Sequence, residues 1–142
     1  MPSAVTFIAA VLSFTIVAAA GNSNLDSSSF TPASIPGVIT VGASDSNDQI
    51  ASFSNWGTRV DIIAPGGKGF DAFGNMEDPI LSTLPRSQGM YGNFIGTSMS
   101  APYVAGAAAL ILSINSNLTP ADVLSILKLS GDMVHVRTSG GK

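Results

Sequence analysis

The chain has no cysteine. That excludes disulfides and any thiolate metal site; it leaves the redox compartment open and does not exclude secretion. Charge is also scarce. Only 11% of the 142 residues are Asp, Glu, Lys or Arg, and the six Lys and Arg are scattered. With a formal net charge of −3 and no basic patch, nucleic-acid binding has little electrostatic support. There is a single histidine, His135. No internal repeat and no long low-complexity linker interrupts the chain.

What is abundant is apolar and small. Hydrophobic residues make up 45% of the chain and the mean hydropathy is +0.38, high for a soluble protein. A chain of this length is one domain or a piece of one, and it can bury a core. Either much of it is interior, or part of it packs against something else. Residues 4 to 20 carry no charge and end in small residues before Gly21. Three readings are open: a signal peptide, a short membrane span, or a helix fragment followed by a buried parallel strand. The absence of Lys or Arg at the start argues against the first. The length, at the lower limit for a span, argues against the second.

The pattern predicts strands over Thr15–Ala20, Val38–Ser44 and Val60–Ala64, with a short one over Ile50–Phe53. Residues 23–36 read as a polar loop, and Lys68–Pro79 as a Gly-rich surface loop. Ile80–Thr83 and Tyr91–Ile95 read as short strands. From Ser98 to about Asn115 the residues are nearly all apolar or small, which predicts a helix buried all round. A second helix is predicted from Thr119 as N-cap, with Pro120 at its first position and Asp122 in its first turn, ending at Gly131. Strands followed by helices suggest an α/β sheet with a parallel component.

Gly96-Thr97-Ser98-Met99-Ser100-Ala101-Pro102 lies where loop meets helix. Gly96 allows close backbone approach. Ser98 falls at the helix N-terminus, where free N–H groups and the helix dipole stabilise negative charge. Pro102 is tolerated in the first turn. Taken alone, Ser98 reads more readily as an ordinary N-cap, and Asn22 as a turn residue after a strand.

The longer pattern is more specific. GTSMSAPYVAGAAALILS resembles the nucleophile segment of the subtilases, the subtilisin and proteinase K superfamily. AAAGN at Ala18–Asn22 resembles the strand end that bears that family's oxyanion asparagine. Thr31–Gly66 is similar to the proteinase K-like branch nearly residue by residue, and ILSTLP at Ile80–Pro85 also fits. The matching segments run in family order from about Thr15 to Ser130.

The resemblance implies an α/β, subtilisin-like three-layer fold: a mostly parallel sheet and a buried central helix after the nucleophile. Residues 1–142 would form only the C-terminal part of that catalytic domain. It implies a serine endopeptidase with Ser98 as nucleophile and the Asn22 amide as oxyanion donor. Ala19, Ala20 and Gly21 would form one wall of the substrate pocket, with Thr97 beside the nucleophile. It implies a structural, weakly held calcium bound by the carbonyls of Pro36 and Val38 and the carboxylate of Asp61. A single carboxylate makes a weak site, and Asp61 also reads as a solvated strand-edge residue. The implied partner is a protein or peptide substrate, in an extracellular setting, with no nucleic acid and no membrane.

The chain departs from the family pattern upstream. Subtilases run Asp, His, Ser, yet the segment before Asn22 holds no D-[S/T]-G or H-G-T-H motif. His135 follows Ser98 in a stretch with no family motif, and reads as non-catalytic. A serine without a neighbouring base is a weak nucleophile. The expectation is therefore a chain inactive alone, the N-terminal half that bears its acid and base being either missing from this sequence or supplied as a separate N-terminal half of the same domain. The alternative is a non-catalytic remnant serving as a binding or interaction module. Asn117-Leu118-Thr119 is a glycosylation triplet weakened by the proline that follows.

Overall fold

Three short β-branched stretches build the centre of the molecule. In the computed structural model, which describes residues 14–132, β1 (Ile16–Ala19), β2 (Val38–Ser44) and β3 (Ile62–Pro65) form a parallel sheet in the order β1-β2-β3. Val17 lies opposite Ile39, and Val41 opposite Ile62. All seven residues of β2 are buried. A central parallel strand is covered on both faces, which is why VITVGAS reads as a nearly continuous apolar run.

Alternation along β2 sends successive side chains to opposite faces. Ile39 and Val41, with Ala64 of β3, pack against Val104, Ala108, Val123 and Leu127. Those four belong to α1 (Thr97–Ile114) and α2 (Pro120–Ser130). Val38 faces the other way, clustering with Ala18 and Ile35. The helices thus form a layer on one side of the sheet, and the loop before β2 covers the other. A buried side chain of this size contributes roughly 1.5–3 kcal/mol, so the seam around Val41 and Val123, both 0% exposed, is the main anchor of the helix layer.

The terminal geometry of α2 follows its sequence. The Thr119 hydroxyl accepts from the Asp122 N–H, and the Asp122 carboxylate accepts from the Thr119 N–H at 2.9 Å. This reciprocal capping box satisfies two otherwise unpaired donors. Gly131 closes the helix by donating to the Leu127 carbonyl.

Three expectations need correction. Ile50–Phe53 is not a strand: only Ile50 bridges to Ser44, and the chain then turns, with the Ser54 N–H bonded to the Ala51 carbonyl. Lys68–Pro79 is not all loop, because Gly69–Phe70 (β4) and Met76–Glu77 (β5) pair as a small antiparallel hairpin. Ile80–Thr83 (β6) and Tyr91–Phe94 (β7) do form the expected strands and pair antiparallel. The third correction concerns α1, which is buried along one face rather than all round. Thr97, Ser100, Val104 and Ala108 are buried, whereas Leu110 and Ile114 are 70% and 88% exposed. The sheet can cover only one face of a helix, and no described residue covers the other. By length and composition alone α1 could cross a membrane; here it lies on all three strands of the sheet.

Of the three readings of residues 4–20, the parallel strand is found at Ile16–Ala19, but only Ala18 of it is buried and the other three residues are partly exposed. The preceding helix fragment and His135 lie outside the described residues.

Candidate active site

The strand end after β1 and the start of α1 meet although they lie far apart in the chain. Ala20 donates to the Val41 carbonyl at 2.8 Å, and the chain then turns through Gly21 (φ +106°). The Gly96 N–H bonds to the Gly66 carbonyl at 2.8 Å, which holds the start of α1 over the end of β3. A Cβ on Gly66 would lie 2.6 Å from that of Ala43, so glycine is needed for this approach.

Thr97 is the joint between the two segments. Its N–H and its hydroxyl both donate to Asn22 Oδ1, at 2.8 and 2.9 Å. The Gly21 N–H in turn reaches the Thr97 hydroxyl oxygen at 3.2 Å. A backbone N–H can only donate, so the oxygen end of the Asn22 amide must face Thr97. Its NH2 end has no hydrogen-bond partner among the described residues. Gly96, at φ +141°, comes so close that a Cβ there would stand 3.3 Å from Asn22 Nδ2.

Ser98 follows at once, exposed, at the N-terminal end of α1. Its hydroxyl makes no hydrogen bond among the described residues. Beside it lies a groove of about 300 Å³ between β6 and α1, lined by Leu81, Ser82, Met99, Pro102 and Tyr103. The constellation is therefore an exposed hydroxyl, a helix N-terminus and an amide donor oriented by its own oxygen. Such donors suit an oxygen that acquires negative charge.

The expected site residues do not all reach the surface. Ala19 and Gly21 are partly exposed. Ala20 and Thr97 are fully buried, so neither offers surface to a substrate. The Ala20 carbonyl is taken by the Asn55 amide, and Thr97 faces inward to hold Asn22.

Sequence reasoning missed Asn55. It is 1% exposed and templates the whole turn that carries Asn22. Its Nδ2 donates to the Ala20 carbonyl at 2.9 Å, and its Oδ1 accepts from Ser23 and Leu25 N–H at 2.9 and 3.1 Å. Its own N–H bonds to the Gly21 carbonyl, while Asn24 bonds to Phe53 and Trp56 to Leu25. The available signal was a Ser-Asn pair between aromatics in SFSNWG, a polar pair in a segment otherwise fit to be buried.

The expected metal ligands sit at the other end of the sheet, at the starts of β2 and β3. Pro36 is exposed, Val38 buried and Asp61 partly buried. Both oxygens of Asp61 are engaged: Oδ1 by the Lys128 ammonium at 2.8 Å, Oδ2 by the Thr40 N–H at 3.0 Å. No group of three or more His, Cys, Asp or Glu side chains placed to hold a metal occurs among the described residues.

Comparison with known proteins places this chain in a family. Residues 3–137 match the subtilase family, and the chain belongs to it. It is 41% identical over 133 residues to a cuticle-degrading serine protease of Arthrobotrys oligospora, covering 90% of this chain and 30% of that protein. It is 47% identical over 111 residues to subtilisin amylosacchariticus of Bacillus subtilis subsp. amylosacchariticus, covering 76% and 26%. A solved structure of a protease from Pseudoalteromonas arctica superposes with a TM-score of 0.81 at 34% identity, covering 94% of this chain and 41% of that one. The subtilisin-like α/β fold is thereby established for the part present. The chain spans between a quarter and a third of the length of these two curated relatives.

Proposed function

We propose that this chain carries the nucleophile and oxyanion side of a serine endopeptidase site acting on protein or peptide substrates. The observation that supports this most directly is the double anchoring of Asn22 Oδ1 on Thr97, which leaves the amide NH2 as a free donor beside the helix end that bears Ser98. In this reading the Ser98 oxygen attacks the scissile carbonyl carbon, and the carbonyl oxygen becomes an oxyanion held by Asn22 Nδ2 and the Ser98 N–H. The C–N bond then breaks, the amine leaves with a proton, and the acyl-serine ester is hydrolysed by water. Ala19 and Gly21 border the substrate's path, with Ala20 and Thr97 supporting them from behind. An extracellular setting belongs to the same reading.

The step needs a base to take the Ser98 proton. Among the described residues no imidazole adjoins Ser98. We read residues 1–142 as inactive by themselves, and active when a histidine and an aspartate come from the N-terminal half of the domain, whether joined upstream or supplied by another chain. A second reading, a non-catalytic binding or interaction module, is favoured by the lack of an imidazole beside Ser98 among the described residues.

The test is labelling of the purified, folded chain with a fluorophosphonate probe, read by intact mass and peptide mapping. The expected result is no labelling of the chain alone. Stoichiometric labelling at Ser98, lost in Ser98→Ala, is expected on adding the N-terminal half of a subtilase catalytic domain. Labelling of the chain alone would refute its inactivity. No labelling in either case would overturn the enzymatic reading in favour of the module.

A further inference from the structure

We infer that Lys128 is the built-in counter-ion of Asp61, and that this carboxylate serves an ion pair in place of the calcium ion that the family resemblance implies. Asp61 precedes β3, and Lys128 lies in the last turn of α2, a separate element. Their charged atoms stand 2.8 Å apart, with the carboxylate side only 21% exposed.

The chemistry of the donor set argues against a divalent cation. Calcium takes six to eight oxygens at roughly 2.3–2.6 Å. Here one carboxylate is offered, and both its oxygens are committed, one to the ammonium and one to the Thr40 N–H. The neighbouring cavity of about 200 Å³ is lined by Val38, Asp61, Pro120 and Leu124, and by a second cation, Arg59. The Arg59 guanidinium is itself fixed to the Ser34 carbonyl. A dication arriving there would have to displace the ammonium from one oxygen and the Thr40 N–H from the other. A lysine near a helix C-terminus is favourably placed against the helix dipole, so the ammonium needs no displacement of α2 to hold its position. The pair also ties α2 to the sheet, a task that a structural metal performs elsewhere by bridging loops.

The test uses the full chain and two conservative variants, Lys128→Gln and Asp61→Asn, with their double mutant. Thermal unfolding would be followed in excess chelator and in millimolar CaCl2, and Tb3+ luminescence would report lanthanide binding directly. The wild-type Tm is expected to be the same with and without calcium, with no saturable Tb3+ signal removed by Asp61→Asn. The double-mutant cycle is expected to show coupling of about twofold to fivefold in the folding equilibrium constant, shrinking with salt as partly exposed pairs do. A calcium-dependent rise in wild-type Tm that disappears in Asp61→Asn would overturn the inference. So would a cycle with no coupling. If a variant proves too poorly folded for unfolding curves, Tb3+ titration of the wild type alone decides the metal question.

Discussion

Replacing Asn55 by leucine keeps roughly the volume of the side chain and removes its three side-chain hydrogen bonds to the Asn22 turn. A single intramolecular hydrogen bond contributes about 0.5–1.5 kcal/mol net, and a buried group left unpaired costs roughly 1–3 kcal/mol. The three partners differ in this respect. Ala20 is 0% exposed, so its carbonyl is left without a partner. Ser23 and Leu25 are exposed, so their N–H groups can turn to water at little loss. The sum is about 3 kcal/mol, on the order of a hundredfold in the folding equilibrium constant. Urea unfolding of Asn55→Leu beside wild type measures it, with Ser98→Ala as a control expected to change little because Ser98 is exposed. Hydrogen exchange of the Ser23 and Leu25 amides should accelerate more than that of β2. A loss under about 1 kcal/mol, the net worth of one such bond, with an unchanged m-value would refute the reasoning. A large loss with Ser23 and Leu25 still protected would do so as well, since it would place the effect outside the turn.

Gly96→Ala puts a Cβ at φ +141°, 3.3 Å from Asn22 Nδ2; backbone strain there costs about 1–3 kcal/mol, and the Asn22 side-chain NH2 resonances should shift by NMR while those of α2 stay in place. Acid should destabilise the chain through its surface turns. Hydrogen bonds from the Ser28 backbone to Asp26, from the Asn75 side chain to Asp71 and from the Thr119 side chain to Asp122 hold these carboxyls below their ordinary value of 3.8. A depressed folded value means stability that is complete above the unfolded value and lost as pH falls through the folded one. The urea midpoint should therefore be flat above that ordinary value and fall below it, and Asp122→Asn should make the acid limb shallower.

The legibility of these features in the sequence differs for physical reasons. Val38–Ser44 was readable because a central parallel strand must be apolar on both faces, and the residues say so without help from context. The start of α2 was readable because capping is local: Thr119, Pro120 and Asp122 satisfy one another within a single turn. The environment of α1 was not readable. Its composition demands burial on every side, and only the packing shows that the sheet takes one face and leaves Leu110 and Ile114 outside. Asn55 was opaque for the opposite reason. An asparagine shortly before a glycine suggests a turn of its own, whereas this one shapes a turn far upstream in the chain. The pairing of Asp61 with Lys128 was not readable either, because the ammonium reaches it from another element.

The hydrogen-bond chain through the candidate site has an order that bears on its chemistry. Asn55 fixes the turn, the turn presents Asn22 and Gly21, and Thr97 grips both from the start of α1. Every link runs among β1, the 53–56 segment and α1, and none requires an ionisable group. The geometry proposed to stabilise an oxyanion is therefore held by neutral donors within this chain, whereas proton transfer from Ser98 needs a titratable partner that none of the described residues supplies. That separation makes the two contributions independently measurable. Damage to Asn55 should loosen the donor end without touching the means of activating the serine, and an added base should activate the serine without reshaping the turn. A chain in which supplying the base restored labelling at Ser98 equally well in wild type and in folded Asn55→Leu would show that the oxyanion donors are positioned by something other than this relay.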